Sequence, residues 1–322
     1  MKAVTSVREH QRHRLDAFGL NVECDWPLPG SKPAPAIGER SRLGTSIRVL
    51  TPGQIDAAWR QAAERIFVRE YPDRKICFTV DRNTDHYRLW FEGCGRYIVA
   101  GDGTTIGCER EGISPDLQDR FLFAQVLPLA AVLQGFELIH ASAICGQQGV
   151  AAITGASGAG KTSLASRLVL RGAGFVTDDV LALEARHDAP IVHPGPAFMA
   201  VPNQDRSLIE TGAGRLGCNV GNSDKVHASP RAFGEGLPLR VLYYLEAAPR
   251  FEIAALAGAD VHRILSSGFA PYLMTPDRLR RHLEISQLVS SVVAQFQLRT
   301  PPTGHSEIVL EAVEAHLREL GI

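Results

Sequence analysis

Gly155-Ala156-Ser157-Gly158-Ala159-Gly160-Lys161-Thr162 is the stretch on which the reading of this 322-residue chain turns. It matches G-x-x-x-x-G-K-S/T, a loop whose glycines let backbone N–H groups turn inward around phosphate oxygens. In that pattern Lys161 reaches the β- and γ-phosphates of a nucleoside triphosphate, and the Thr162 hydroxyl ligates Mg²⁺. The flanks agree. Gly149 to Thr154 is a short apolar run suited to a buried strand, and Lys161 to Arg171 carries apolar residues at 164, 165, 168 and 169, one face of a helix. Gly172-Ala173-Gly174 stops that helix, and Phe175-Val176-Thr177 reads as a second strand running into Asp178-Asp179. The unit is βαβ, with the loop at a helix N-terminus whose dipole favours anions.

Composition excludes several classes. The chain is 45% hydrophobic and 21% charged, as for a soluble globular protein of two domains or one elaborated one. A net charge of -1, with no local basic run, gives no footprint for nucleic acid or an anionic membrane. No stretch of eighteen apolar residues is present, and the arginine-bearing N-terminus lacks a following apolar segment, so the expected location is cytoplasmic, with no membrane partner. The six cysteines form neither a C-x-x-C pair nor a zinc-like spacing and read as free thiols.

The chain changes character near residue 115. Before it come short alternating segments, Ile47 to Leu50, Ile76 to Val80, Tyr87 to Phe91 and Tyr97 to Val99, with one helix over Gln54 to Arg65 capped by Thr51. Pro27 to Gly38 is a loop. Asp116 to Leu133 is predicted helical, with Leu117, Phe121, Ala124, Leu127 and Ala131 on its apolar face and a kink or early end at Pro128. Phe136 to Ala143 is predicted to be one strand holding His140 in it or near its end. In the C-terminal part, Leu237 to Glu246 reads as a strand with Leu239, Val241, Tyr243 and Leu245 on one face. Thr275-Pro276 opens a helix with Leu279, Leu283 and Leu288 inward, and Ala294 to Arg299 returns as a strand. Ser306 to Leu320 is a closing amphipathic helix with Ile308, Val309, Val313, Leu317 and Leu320 buried. The expected architecture is α/β, a β-rich N-terminal domain over residues 1–124 followed by a P-loop domain over 125–322.

Leu138-Ile139-His140, the loop Gly155 to Thr162, Arg171-Gly172 and Val176-Thr177-Asp178-Asp179 follow one another in the order and spacing of the HPr kinase/phosphorylase catalytic domain, which the chain resembles over roughly residues 136–200 and more faintly to 322. The N-terminal region looks more like the β-rich N-terminal region of bacterial HPr-kinase-related proteins. The resemblance implies a fold of the HPr-kinase and phosphoenolpyruvate-carboxykinase type. It also implies ATP and Mg²⁺ as donor and cofactor, and a serine on a protein or peptide as acceptor, including the C-terminal serine of ribosomally made precursor peptides. Under it Lys161 and the amides of Gly155, Ala156, Ser157, Gly158, Ala159 and Gly160 hold the phosphates, and Thr162 and Asp178 hold the metal. One aspartate of Asp178-Asp179 accepts the serine proton, and His140 stabilises the ionised carboxylate. Strand alternation would point the two aspartates to opposite faces, without saying which is the base.

Departures are equally specific. Ser163 stands where the bifunctional enzymes have glutamate, and their downstream glutamate-isoleucine-arginine-glycine signature is absent, so no phosphorylase activity is expected. Glu210 reads either as a remnant of the second metal ligand or as a surface acid. Thr211 to Pro230 is predicted to be a mobile loop, with Lys225 either solvated or reaching phosphate. Two further readings stay open: a small-molecule kinase on this fold, and a nucleotide-binding regulatory module. Homo-oligomerisation is left open too.

Overall fold

The computed structural model describes residues 12–33, 44–186, 189–202, 206–207, 216–219, 225–230, 236–256, 261–301 and 306–322. The chain is mixed α/β, with two nine-stranded sheets and a small three-stranded one.

Alternating residues in the N-terminal part build the first sheet, in the order Lys32–Pro33, His13–Ala17, Leu20–Cys24, Gly44–Val49, Thr105–Cys108, Gly95–Ala100, His86–Phe91, Ile76–Arg82 and Glu64–Glu70. The predicted helix at Thr51 forms with a reciprocal capping box to Gln54, but it ends at Arg60, and Arg65 lies in the strand Glu64–Glu70. Lys32–Pro33, inside the expected loop, is a two-residue strand.

Between the sheets runs a helical stretch of three parts, Pro115–Phe121, Leu122–Val126 and Leu127–Leu133. Pro128 neither ends nor breaks it. Proline lacks an N–H and its ring crowds the carbonyl four residues back, so the chain widens into a π-type turn over Leu122–Val126. The stretch is buried nearly all round from Phe121 to Val132, except that Leu117, placed on the apolar face by its spacing, is exposed. One hydrophobic cluster runs from Val22, Val80 and Tyr97 through Leu122 and Leu129 to Leu138, Val180 and Leu273, so the first sheet and the second part of the chain share a core.

In the second sheet the order is Glu137–Ile139, Leu181–Arg186, Ala189–His193, Leu237–Ala247, Val150–Gly155, Ala141–Cys145 and Gly174–Thr177, with Ala294–Thr300 and Glu252–Ala255 continuing from Leu237–Ala247. Period-two alternation sends Ala151 and Ile153 to one face, where they meet Leu164 and Leu168 of helix Lys161–Arg171 and Val309 and Val313 of helix Glu307–Glu319. Val150 and Ala152 face the other side, with Ile285 and Val289 of helix Pro276–Val292. The two strands of the expected βαβ unit are separated by Ala141–Cys145, which runs antiparallel to both.

Several inward assignments need correction. In Leu237–Ala247 a register shift at Arg240 puts Leu239 with Leu242 and Tyr244, on the face away from Val241, Tyr243 and Leu245. In Pro276–Val292, Leu279 and Leu283 are 44% and 46% exposed and Leu288 is half-buried; Arg278, His282, Ile285, Ser286 and Val289 are buried instead. Ile308 is 74% exposed. Within 211–230, Leu216–Asn219 and Lys225–Pro230 are strands paired with each other, and the latter also with Met199–Pro202, rather than a loop. Glu210 lies outside the described residues. Cys24, Cys77, Cys94, Cys108 and Cys145 are free and buried. No helix among the described residues is long and apolar enough to cross a membrane.

Candidate functional site

The loop after Val150–Gly155 is shaped by two positions that a side chain could not take. At Gly155, φ is 151° and a Cβ would stand 2.4 Å from the Leu245 carbonyl oxygen of the adjacent strand. At Gly160, φ is 100°, the left-handed turn that hands the chain to the first residue of helix Lys161–Arg171. The positive end of the helix dipole at Lys161 faces this loop, an arrangement that favours an anion. Lys161 is buried, and its Nζ donates to the carbonyls of Gly155 (2.9 Å) and Ala156 (3.0 Å), so the ammonium is held against the loop.

The aspartate pair lies past the end of strand Gly174–Thr177, and the two carboxylates part for a different reason from strand alternation. Asp179 takes a left-handed backbone (φ 71°), uncommon for a residue with a Cβ. The turn leaves Asp178 facing Thr162, whose hydroxyl donates to its Oδ1 at 2.8 Å, while the Ser142 hydroxyl donates to the same oxygen at 3.0 Å. Asp179 is more exposed and stands with its Oδ1 3.3 Å from His140 Nδ1.

His140 also differs from its expected setting. The segment 136–143 is not one strand: Glu137–Ile139 pairs with Leu181–Arg186, whereas Ala141–Cys145 pairs with Val150–Gly155, and His140 is the break between them. Its N–H donates to the Ser267 carbonyl (2.8 Å) and its carbonyl accepts from the Thr154 hydroxyl (2.9 Å), which ties the break to the phosphate-loop strand.

Thr162 Oγ1 and Asp178 Oδ1 suit Mg²⁺. Adjacent oxygens of an octahedron with metal–oxygen lengths of about 2.0–2.1 Å stand about 2.9 Å apart, close to the 2.8 Å here. Among the described residues no cluster of three or more histidine, cysteine or acidic side chains could hold a metal ion.

These groups open into a cavity of about 820 Å³ lined by Ser157, Gly158, Gly160, Lys161, Thr162, Asp179 and His140. Phe67, Arg69, Phe78, Arg120 and Gln125 line it from the N-terminal sheet and the helical stretch, and residues 268–272 close it. Phe67 stacks at 4.7 Å between ring centroids on Tyr272, across the two parts of the chain. The 268–272 segment is held by a buried network. Arg278 donates from Nη1 to the Ala270 carbonyl (2.6 Å) and from Nη2 to the Phe269 carbonyl, and it meets Glu137 through Nη2 (2.9 Å) and Nε (3.3 Å). His282 Nδ1 lies 2.9 Å from the same carboxylate. Burial pushes the Glu137 carboxyl up, but the close approach of His282 Nδ1 and the bonds from Arg278 prevail and hold it below the usual range.

Among the expected residues, Lys161, Thr162, Asp179, His140, Ser157, Gly158 and Gly160 line one cavity and Asp178 is joined to it through Thr162, whereas Gly155 and Ala156 line a neighbouring pocket and Ala159 is in neither lining. Ser142, Arg69, Arg120, Glu137, Arg278 and the aromatic wall were not anticipated; no local motif marks them.

No protein-family model matches the chain, and no curated protein matches it. Among solved structures it is similar to the HPr(Ser) kinase/phosphatase from Coxiella burnetii, with 13% sequence identity and a TM-score of 0.30, over 57% of this chain and 92% of that one. A likeness this weak carries no argument about the site, whose chemistry rests on the geometry above.

Proposed function

We propose that the chain is a Mg²⁺- and ATP-dependent kinase of the HPr-kinase type that phosphorylates a serine on a protein or peptide. The observation that carries this reading is the parting of the two aspartates: Asp178 bonded to Thr162 at the phosphate loop, Asp179 turned into the cavity beside His140. Phosphoryl transfer asks a protein mainly to position groups and to neutralise charge. The loop amides and Lys161 bind and orient the triphosphate, while Thr162 and Asp178 hold the ion. When bound, Mg²⁺ neutralises the charge that builds on the transferring phosphoryl oxygens. Asp179 accepts the proton of the serine hydroxyl as its oxygen bonds to the γ-phosphorus and the bond from that phosphorus to the ADP oxygen breaks. His140, 3.3 Å from Asp179, orients that carboxylate. This assigns Asp178 to the metal and Asp179 to the proton. Ser163 and the missing phosphorylase signature support a reaction run toward phosphoserine.

The test is γ-labelled ATP with Mg²⁺ and serine-bearing peptides or a co-encoded protein. Label on serine that Asp179→Asn abolishes while nucleotide still binds supports the reading. Label on a small metabolite alone, or nucleotide binding with no transfer, overturns it in favour of a small-molecule kinase or a regulatory module.

A further inference from the structure

The cavity takes three cationic side chains, Arg69, Arg120 and Lys161, against one carboxylate, Asp179. Lys161 belongs to the phosphate loop. The two arginines do not: Arg69 is on Glu64–Glu70, the terminal strand of the N-terminal sheet, and Arg120 is in the helix Pro115–Phe121. Neither makes an ion pair or a side-chain hydrogen bond among the described residues. That sets Arg69 apart from other arginines of its sheet: Arg65 and Arg88 share Asp81, Arg96 holds Glu109 and Asp56, and Arg48 holds Asp25. Arg69 is exposed, with its guanidinium 5.9 Å from the Phe67 ring and 5.8 Å from the Phe78 ring, both of which also line the cavity. A fork of donors with no carboxylate bonded to it is open to an anion from outside. The loop amides, Lys161 and a metal held at Thr162 and Asp178 would meet the charge of a triphosphate. That leaves the two arginines for an anionic group on the other reactant.

We propose that Arg69 of the N-terminal sheet and Arg120 of the helix Pro115–Phe121 form the acceptor-binding wall, and that the acceptor carries a carboxylate close to the hydroxyl it presents to Asp179. Two sources offer that group, acidic side chains flanking the serine and a free chain terminus next to it. The inference rests on the kinase reading for the word acceptor, but the binding surface is testable without catalysis.

Fluorescein-labelled peptides with one serine are titrated by anisotropy against the full chain with Mg²⁺ and a non-hydrolysable ATP analogue. Four are compared: acidic flanks with an amidated end, a serine at a free terminal carboxylate, neutral flanks with an amidated end, and basic flanks. At least one anionic peptide is expected to bind on the order of 10-fold or more tighter than the neutral one, as charge-assisted hydrogen bonds give. Which anionic peptide wins names the source. Salt should weaken that binding, and Arg69→Gln with Arg120→Gln should erase the preference while fluorescent ADP binds as before and the thermal melt is kept. Equal binding of all four peptides overturns the proposal. So does loss of ADP affinity in the double variant with peptide preference intact, which would assign the arginines to the nucleotide. Anionic preference without any labelled serine would leave the surface standing and refute the kinase reading instead.

Discussion

Replacing Glu137 by glutamine is a sharp test of what holds the cavity wall. Glu137 and Arg278 are 0% and 2% exposed and meet at 2.9 Å, on elements 141 residues apart in the chain. Glutamine keeps the shape and removes the charge, so the guanidinium keeps its desolvation penalty without its partner. Breaking a buried pair in this way costs about 3–5 kcal/mol. With an unfolding entropy of about 2.1 cal/mol/K per residue, a chain of this length should then lose roughly 4–7 °C in melting midpoint. Scanning calorimetry at pH 7 reads this directly. Asp277→Asn removes the exposed partner of Arg280, a 3.3 Å pair on the same helix, and should leave the midpoint in place because exposed pairs contribute little. The pH dependence follows from the lowered Glu137 value. The pair stabilises the fold above the ordinary carboxylate range, and the contribution is lost as pH falls through the lower folded-state value. The gap between wild type and Glu137→Gln should accordingly close in acid. A variant that melts within about 1 °C of wild type at pH 7 would refute the account of Arg278 as a charge dependent on Glu137.

Three further outcomes are expected. Asp179→Asn should lower kcat by about 10²- to 10⁴-fold, as loss of a general base does, with nucleotide affinity kept, whereas Asp178→Asn should raise the Mg²⁺ concentration needed for half-maximal rate; reversed effects in steady-state kinetics would exchange the two roles. Leu279→Ala and Leu283→Ala should change stability by no more than about 0.5 kcal/mol and Ile285→Ala by about 2–5 kcal/mol in urea unfolding, because only Ile285 is buried. His316 Nδ1 and the Tyr243 hydroxyl share a 2.7 Å hydrogen bond, and burial lowers the His316 pKa. Above about pH 6.5 both folded and unfolded imidazoles are neutral and the group is silent, while below it the unfolded chain binds the proton first. Stability should fall on that side, and His316→Gln should flatten the slope in melts taken across that range.

Local chemistry made much of the architecture readable. The caps at Thr51 and Thr275 each take the hydrogen bond expected of them, from Gln54 and Arg278, and the structure adds a third at Ser306, from Val309. The glycine loop and the helix after it stand where their spacing puts them. Pro128 was readable as a perturbation but not as a π-type turn, because the way a helix absorbs a missing N–H depends on what surrounds it, and here both sides are packed. Helix Pro276–Val292 misled for a related reason: its leucines follow a helical period, but the inward stripe is set by Glu137, which Arg278 and His282 turn to meet.

By itself the sequence determined the strand-loop-helix over 150–171, the candidate residues Lys161, Thr162, Asp178, Asp179 and His140, and a mixed α/β chain with a β-rich first part. Those are properties of neighbours along the chain, where periods of two and 3.6 and a few glycines limit the backbone to few shapes. Only the tertiary structure divided the aspartates, through the left-handed turn at Asp179, and brought Arg69, Arg120 and the Phe67–Tyr272 contact to the same cavity. Which distant side chains meet is fixed by sheet order and packing, and no local pattern along the chain records it.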